Sequence, residues 1–451
     1  MPLAVWRTGT LTSASPFSTY DLSAILDSSS FALCSSSGLQ RRAWPAFGVG
    51  RCSWRLRRTA SSHCTSSSSP TSSRATSFPW PTSPRSSRPA ASGAPSSPVT
   101  TPVQASTIRS IVDLSSPPID IAVVPFPDVG LSPGAQSGSR GDHGKLQQAA
   151  RLLREPFRQF IADHHASLDA VVSDSFFPWS LDVAAEYGVP RLAFLGTSMF
   201  ARCCAENLLR DHNPNDDDGG EGDPDAVFSV AGLPHRVELR RSQIMRHPDQ
   251  LAFVKGIYAA DQKSYGELVN SFHELETDYV EHYRTALRRR AWLVGPVALA
   301  SGSKEVASRG WAPQVIILNH PAVGGFLTHC GWNSTLEAVS AGVPMVTWPR
   351  HADQFFNEKL VVDVLQVGVS VGAKDYGSSA ETHRVIGAEM IADAVRLLME
   401  EVEGDAMRRR ARDLGIKARS VVEKGGSSYG DAGQLVDELM ARRSRQPGGG
   451  V

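Results

Sequence analysis

Acidic side chains are missing from a long stretch of this chain: none stands between Asp27 and Asp113. The stretch is rich in Ser, Pro and Arg and holds too few apolar residues to offset the entropy of ordering them, so residues 1–98 are expected to be low-complexity and disordered. Cysteine is scarce as well. The six cysteines, at 34, 52, 64, 203, 204 and 330, include no CxxC pair and no metal-ligand spacing. That excludes a disulfide scaffold, gives no metal site, and favours a reducing compartment. No apolar run approaches the ~20 residues that an integral membrane helix needs. The 46 basic and 46 acidic residues cancel, which leaves no argument for nucleic acid or an anionic membrane as partner. No G-x-G-x-x-G follows a strand-like run, which speaks against a dinucleotide oxidoreductase. A cytoplasmic protein is expected, with a plastid transit segment as the alternative reading of the acid-poor N-terminus.

What is present is concentrated between residues 311 and 354. The apolar run Val323–Leu327 leads through Thr328 and His329 into a small turn, Cys330-Gly331. A helix is expected from Ser334, because Ser334-x-x-Glu337 has the capping-box pattern. Gly342 supplies a stop, and Val343–Trp348 reads as a second buried strand. Strand, glycine turn, helix, strand is a βαβ unit, whose turn lies at the ligand-binding end of a parallel sheet. Free amides and the dipole at the helix N-terminus favour a diphosphate, and His329 stands beside them as a donor. On these residues alone two readings stay open. Glu337 either completes the cap or holds a ligand; Trp311 is either a core aromatic or a stacking platform; His329 is either an ordinary loop residue or a phosphate contact.

Trp311-APQVIILNHPAVGGFLTHCGWNSTLEAVSAGVPMVTWPRHADQ resembles the signature box of plant family-1 UDP-sugar glycosyltransferases. The resemblance implies an α/β fold of the GT-B type, two Rossmann-like domains facing a cleft. It also implies roles. Trp311 would stack on uracil, with Gln314 on ribose or base and Glu337 on the ribose hydroxyls. His329, Asn333 and Ser334 would meet the diphosphate, and Trp332, Asp353 and Gln354 the sugar hydroxyls. The terminal glutamine points to UDP-glucose as donor. The UDP-sugar is a co-substrate, and neither a cofactor nor a metal is implied.

The similarity extends over roughly Val99–Val297 and Trp311–Met440. The expected division is an aberrant segment 1–98, a partial acceptor-binding domain 99–297, a donor-binding domain 298–441 truncated at its start, and a tail 442–451. Ile121-AVVPFPDVGLSP, Asp169-AVVSDSFFPWSLDVAAEYGVPRLAF, Tyr265-GELVNSFHELETDYV and Trp292-LVGPV read as acceptor-domain strands with their loops and helices. Lys145–Ile161 reads as a helix, and Asn213–Asp225 as an acidic surface loop. The family chemistry is an inverting displacement: a histidine takes the proton of the acceptor hydroxyl, and an aspartate orients the imidazole. The acceptor oxygen bonds to the anomeric carbon as the bond to UDP breaks. Asp174, in Val171-VSDSFF, stands at the aspartate position; read alone it could equally be a loop-capping residue.

Two parts of the pattern are missing. The base should stand in a Gly-His loop before Val99, where the only histidine is His63, without that motif. Phe78–Pro102 has the composition of a helix-coding stretch read in another frame, so a register break near Val99 is expected. Only Ala298–Gly310 separates Trp292-LVGPV from Trp311, too short for a strand–helix unit. The donor sheet is therefore expected to lack its opening strands and to expose an edge. Two functions follow. One is transfer of a hexose to a hydroxyl of a small acceptor such as a flavonoid or other phenolic. The other is a catalytically inactive remnant, or a mis-assembled gene product, that retains at most UDP-sugar binding.

Overall fold

The structure, a computed structural model, describes residues 3–6, 95–99, 120–123, 127–130, 143–211, 222–300, 314–377, 383–400 and 402–445. The rest of the N-terminal segment, including His63, and the frame-shift expectation attached to it lie outside the described residues. So do the core of the acidic loop, residues 212–221, and the interdomain stretch 301–313 with Trp311.

Twelve short strands are described. β1 (Leu3–Trp6), β2 (Pro95–Val99) and β3 (Asp120–Val123) precede the first helices, His143–Leu152 and Arg154–His164. β4 (Ala170–Asp174), β5 (Arg191–Leu195), β8 (Gly266–Val269) and β9 (Ala291–Leu293) form a parallel sheet, and β1 joins β4 antiparallel at its edge. β2 and β3 form a separate parallel pair, while β6 (Val227–Ser229) and β7 (Glu238–Arg240) form a hairpin-like antiparallel pair. The central strands are buried on both faces: Ala170, Val171 and Val172, like Leu192, Ala193 and Leu268, are each under 5% exposed. Such continuous apolar runs belong to a sheet covered by helices on both sides.

The second sheet is smaller. β10 (Phe326–Thr328), β11 (Met345–Thr347) and β12 (Gly368–Ser370) are parallel in that order. Helix Trp332–Ala341 connects the first two and ends where Gly342 takes a left-handed φ of 74°. That stop falls where the sequence puts it. A Cβ at Gly342 would also crowd the backbone of Arg412 at 3.2 Å, in helix Val402–Ser420. Among the described residues no strand pairs with the outer edge of β10. Leu327 on that strand and Ile316 and Ile317 in the neighbouring helix Gln314–Leu318 are 47–60% exposed.

One apolar cluster runs through both halves, with Phe200, Val269 and Tyr279 on the first side and Trp332, Leu336 and Met345 on the second. The closing helix Ser427–Arg445 crosses back to the first sheet. Chain order assigns it largely to the second domain, yet Leu435 and Leu439 pack with Trp292 and Leu268. Asp431 accepts the Leu293 N–H at 2.8 Å and pairs with Arg284 at 3.0 Å. No helix among the described residues is long and apolar enough to cross a membrane.

Behind the first sheet lies a buried ionic cluster. Arg191 pairs with Asp261 at 3.0 Å, and Arg202 with Glu267 at 3.2 Å, all four at most 2% exposed. Arg202 lies 3.7 Å from the Tyr258 ring centre, and the Tyr283 hydroxyl donates to Glu267 at 2.5 Å. Arg191 also donates to Ser264 and to Ser180. The cluster fastens helices Met199–Asp211, Pro248–Lys263 and His273–Thr285 to the sheet.

Candidate functional site

Because β4, β5 and β8 are parallel, their C-terminal ends deliver Asp174, Gly196–Ser198 and Asn270–Ser271 to one end of the first sheet. The C-terminal ends of β10 and β11 likewise deliver His329–Gly331 and the loop leading to Asp353 and Gln354. The two ends meet. Thr197 donates its hydroxyl to Asp353 Oδ2 at 2.5 Å, and Ser198 to Asn357 Oδ1 at 2.8 Å. The Trp332 indole N–H donates to the Asn270 carbonyl at 2.7 Å.

The turn after β10 is tight. Cys330 holds φ at 64°, a region that non-glycine residues rarely take and that is frequently kept for function. Its N–H is received by Thr328 Oγ1 at 3.1 Å. Gly331 then caps helix Trp332–Ala341 without any side-chain cap bond. A Cβ on Gly331 would overlap the Nε2 of His329, so a glycine here is what lets the imidazole lie against the helix N-terminus. Gly331→Ala is expected to displace His329 and to weaken anion binding at this helix terminus by about tenfold or more, equivalent to about 1.4 kcal/mol. Calorimetric titration with pyrophosphate measures it, and unchanged affinity would separate His329 from the anion.

The capping box expected at Ser334 is corrected. The helix starts two residues earlier, at Trp332, because Gly331 rather than Ser334 takes the cap position. Glu337 therefore stands in the second turn and does not serve the helix terminus. Instead Gln314 Nε2 donates to Glu337 Oε2 at 2.8 Å and to Ser334 Oγ at 3.1 Å. A glutamine, a serine and a carboxylate thus converge beside the His329 turn. Asn333 is half-buried on the same helix end, and its buried Oδ1 has no hydrogen-bond partner among the described residues.

Trp332 turns its side chain to the interface between the two sheets. At 2% exposure, with its N–H committed to Asn270, the indole is core and not a donor to sugar hydroxyls. Any contact from this residue falls to its backbone amide. Gln354 is fully buried and its Oε1 accepts the Arg350 and His351 N–H groups at 2.8 and 3.1 Å. Its Nε2 has no partner among the described residues. Asp353 is half-buried and accepts from Thr197 and, at 2.9 Å, from Asn357. Sequence reasoning overlooked Thr197, Ser198, Asn270 and Asn357. The only local signal was Thr-Ser after an apolar strand, a common helix entry.

Asp174 is half-buried at the end of β4, and its Oδ1 accepts the Phe176 N–H at 2.8 Å. Burial lifts its carboxyl to about 6, against the lowering effect of that amide and with help from the charge of Asp261. Among the described residues no histidine hydrogen-bonds to it.

Residues 296–380 match the family model described as UDP-glucoronosyl and UDP-glucosyl transferase. The chain is 35% identical to scopoletin glucosyltransferase of Nicotiana tabacum, over 66% of this chain and 80% of that protein. It is 32% identical to UDP-glucose flavonoid 3-O-glucosyltransferase 7 of Fragaria ananassa, over 76% and 89% respectively. That alignment has 442 positions, while 76% of 451 residues is about 343, so about 100 positions meet no residue of this chain. The chain is thus shorter than its relative inside the region they share. The structure is similar to Glycyrrhiza uralensis UGT73P12 complexed with glycyrrhetinic acid 3-O-monoglucuronide, at 31% identity and a TM-score of 0.69, covering 77% of this chain and 90% of that one. Medicago truncatula UGT71G1 complexed with UDP-glucose is similar at 21% identity and a TM-score of 0.60, over 74% and 87%, a likeness of fold alone. Two Rossmann-like sheets joined end to end are the GT-B architecture.

Proposed function

This chain belongs to the plant family-1 UDP-glycosyltransferases, and from that premise we propose that it binds UDP-glucose at the Gln314–Glu337–His329 face as the donor half of a glucosyltransferase. The observation that carries this reading is the convergence of Gln314 on Ser334 and Glu337 beside an uncapped helix N-terminus. A carboxylate and an amide can hold a ribose diol, and the free amides with His329 can take the diphosphate. Asn333 and Ser334 border the same terminus. Asp353, Gln354 and the Trp332 backbone would meet the sugar, and Trp311 would stack on the uracil.

The reaction proposed for the family site is inverting and metal-independent. The acceptor hydroxyl gives its proton to a base, its oxygen attacks the anomeric carbon, and UDP leaves with the electron pair of the broken bond. The amides at the helix terminus and His329 stabilise the charge on UDP. The acceptor would be a small phenolic or flavonoid hydroxyl compound, as the relatives' names support, in the cytoplasm. A second reading is supported by the lack of a histidine bonded to Asp174 and by a second sheet of three strands, both among the described residues: donor binding without turnover.

A transfer assay with UDP-glucose and a panel of flavonols separates the two. The chain should be compared with a version carrying a Gly-His loop after the first strand and a full-length interdomain segment. Transfer by the second version alone supports donor binding without turnover. Transfer by the chain as it stands removes that reading and requires a base other than the missing histidine.

A further inference from the structure

The three hydrogen bonds that join the sheets leave the first domain from two loops, 196–198 after β5 and 270–271 after β8. Both loops are tied to one carboxylate. Glu276, 2% exposed, accepts the Phe200 N–H at 2.7 Å and the Met199 N–H at 3.2 Å. Its Oε2 also accepts the Ser271 hydroxyl. Together with Ser198, which takes the Ala201 N–H at 2.9 Å, it satisfies the first three amides of helix Met199–Asp211.

The arrangement is unusual for a glutamate inside a helix. The backbone at Glu276 leaves helical geometry (φ −132°, ψ 35°) within His273–Thr285. Among the described residues no cation pairs with its carboxylate; amide and hydroxyl donors at a positive helix end surround it instead. Thr197 and Ser198 sit immediately before the amides it holds, and Asn270 immediately before the hydroxyl it holds. Those are the residues that reach Asp353, Asn357 and Trp332. A glutamine of the same shape would offer one oxygen where three donors converge, and would turn its amide protons on donors.

We propose that Glu276 is a positioning residue for the sugar end of the donor site. It sets the spacing of the 196–198 and 270–271 loops, and through them the placement of Asp353, Asn357 and Trp332 against the first domain. The proposal rests on the reading that Asp353 and its neighbours meet the donor sugar. It predicts coupling across domains from a residue whose hydrogen bonds, among the described residues, all lie within the first domain.

Amide hydrogen exchange on the ligand-free full chain tests this, comparing wild type with Glu276→Gln. Exchange should quicken at Met199–Ala201, and also at 332–336 and 353–358 in the other domain. UDP-glucose affinity should fall by about tenfold in the variant while UDP affinity changes by less than about twofold. If exchange changes only at 199–201 and 271, Glu276 is a local tie and the proposal is overturned. Should Glu276→Gln fail to fold, Ser271→Ala removes one of the three bonds and must show the same spread across domains. Failure of the wild-type chain to bind UDP-glucose overturns the donor reading, whereas the exchange comparison decides the positioning role separately.

Discussion

Replacing Arg202 by methionine is expected to lower the unfolding free energy by about 3–5 kcal/mol, the usual loss when one member of a buried ion pair is removed. Arg202 is fully buried and serves several partners at once: Glu267 at 3.2 Å, Asp261 at 3.5 Å, Glu206 at 3.8 Å and the Tyr258 ring. Methionine fills most of the volume but leaves Glu267 without its cation inside the protein. Burial already raises the Glu267 carboxyl, so part of the loss appears as proton uptake. The double variant Arg202→Met with Glu267→Gln should recover part of the stability, since a neutral amide costs less to bury than a lone carboxylate. Urea denaturation of the three proteins measures the effect. A loss below about 1 kcal/mol in the single variant would mean the cluster is energetically slack.

The second large effect is a gain of stability on mild acidification. Burial raises Glu276 and Glu358 from the ordinary 4.5 to about 7, and Asp174 from 3.8 to about 6. A carboxyl whose pKa is higher folded than unfolded binds more protons in the folded state. Its contribution therefore grows as pH falls through the folded pKa and is complete below the unfolded one. Between pH 8 and pH 6.5 the three groups together should add about 1–2 kcal/mol. His282 and His383, held below 6.5 chiefly by burial, offset part of this gain, because their unfolded forms take up protons as pH falls towards 6.5. Thermal unfolding from pH 8 to 6.5 should show a rising midpoint, reduced in Glu358→Gln. A midpoint that is flat or falls over that range would contradict the assignment of these carboxyls as buried and protonating.

Much of the second domain was legible because it repeats one local grammar. An apolar run, a small turn, a helix closed by glycine and a second apolar run each leave a pattern within a few residues, and the β10–β11 unit follows it. The helix start was misread because Ser334-x-x-Glu337 imitates a cap. Only three-dimensional placement shows that Gly331 leads and that Glu337 serves Gln314. The placement of the Trp332 side chain was not legible for a related reason: no sequence pattern tells an indole facing a ligand from one facing Asn270 across the interface. The ionic cluster was invisible. Arg191, Arg202, Glu206, Asp261 and Glu267 are separated by up to seventy-six positions and look like surface residues until the fold brings them together. Glu276 escaped notice in the same way, as one carboxylate among several in an ordinary amphipathic helix.

Those two kinds of legibility bear differently on function. The proposed donor face is built largely from residues close in sequence, so a chemistry for it could be proposed from local pattern. The proposed catalytic pair would join distant strands, and among the described residues only Asp174, at the aspartate position, is placed. The proposed function thus rests on donor binding, independently of any partner for Asp174.

Calorimetric titration of UDP-glucose into the full chain, with Glu337→Ala beside it, tests this most directly. The account predicts saturable binding at one site, weakened about tenfold or more by Glu337→Ala through loss of the ribose contact. Absence of binding by the wild-type chain, or equal binding by the variant, would contradict it.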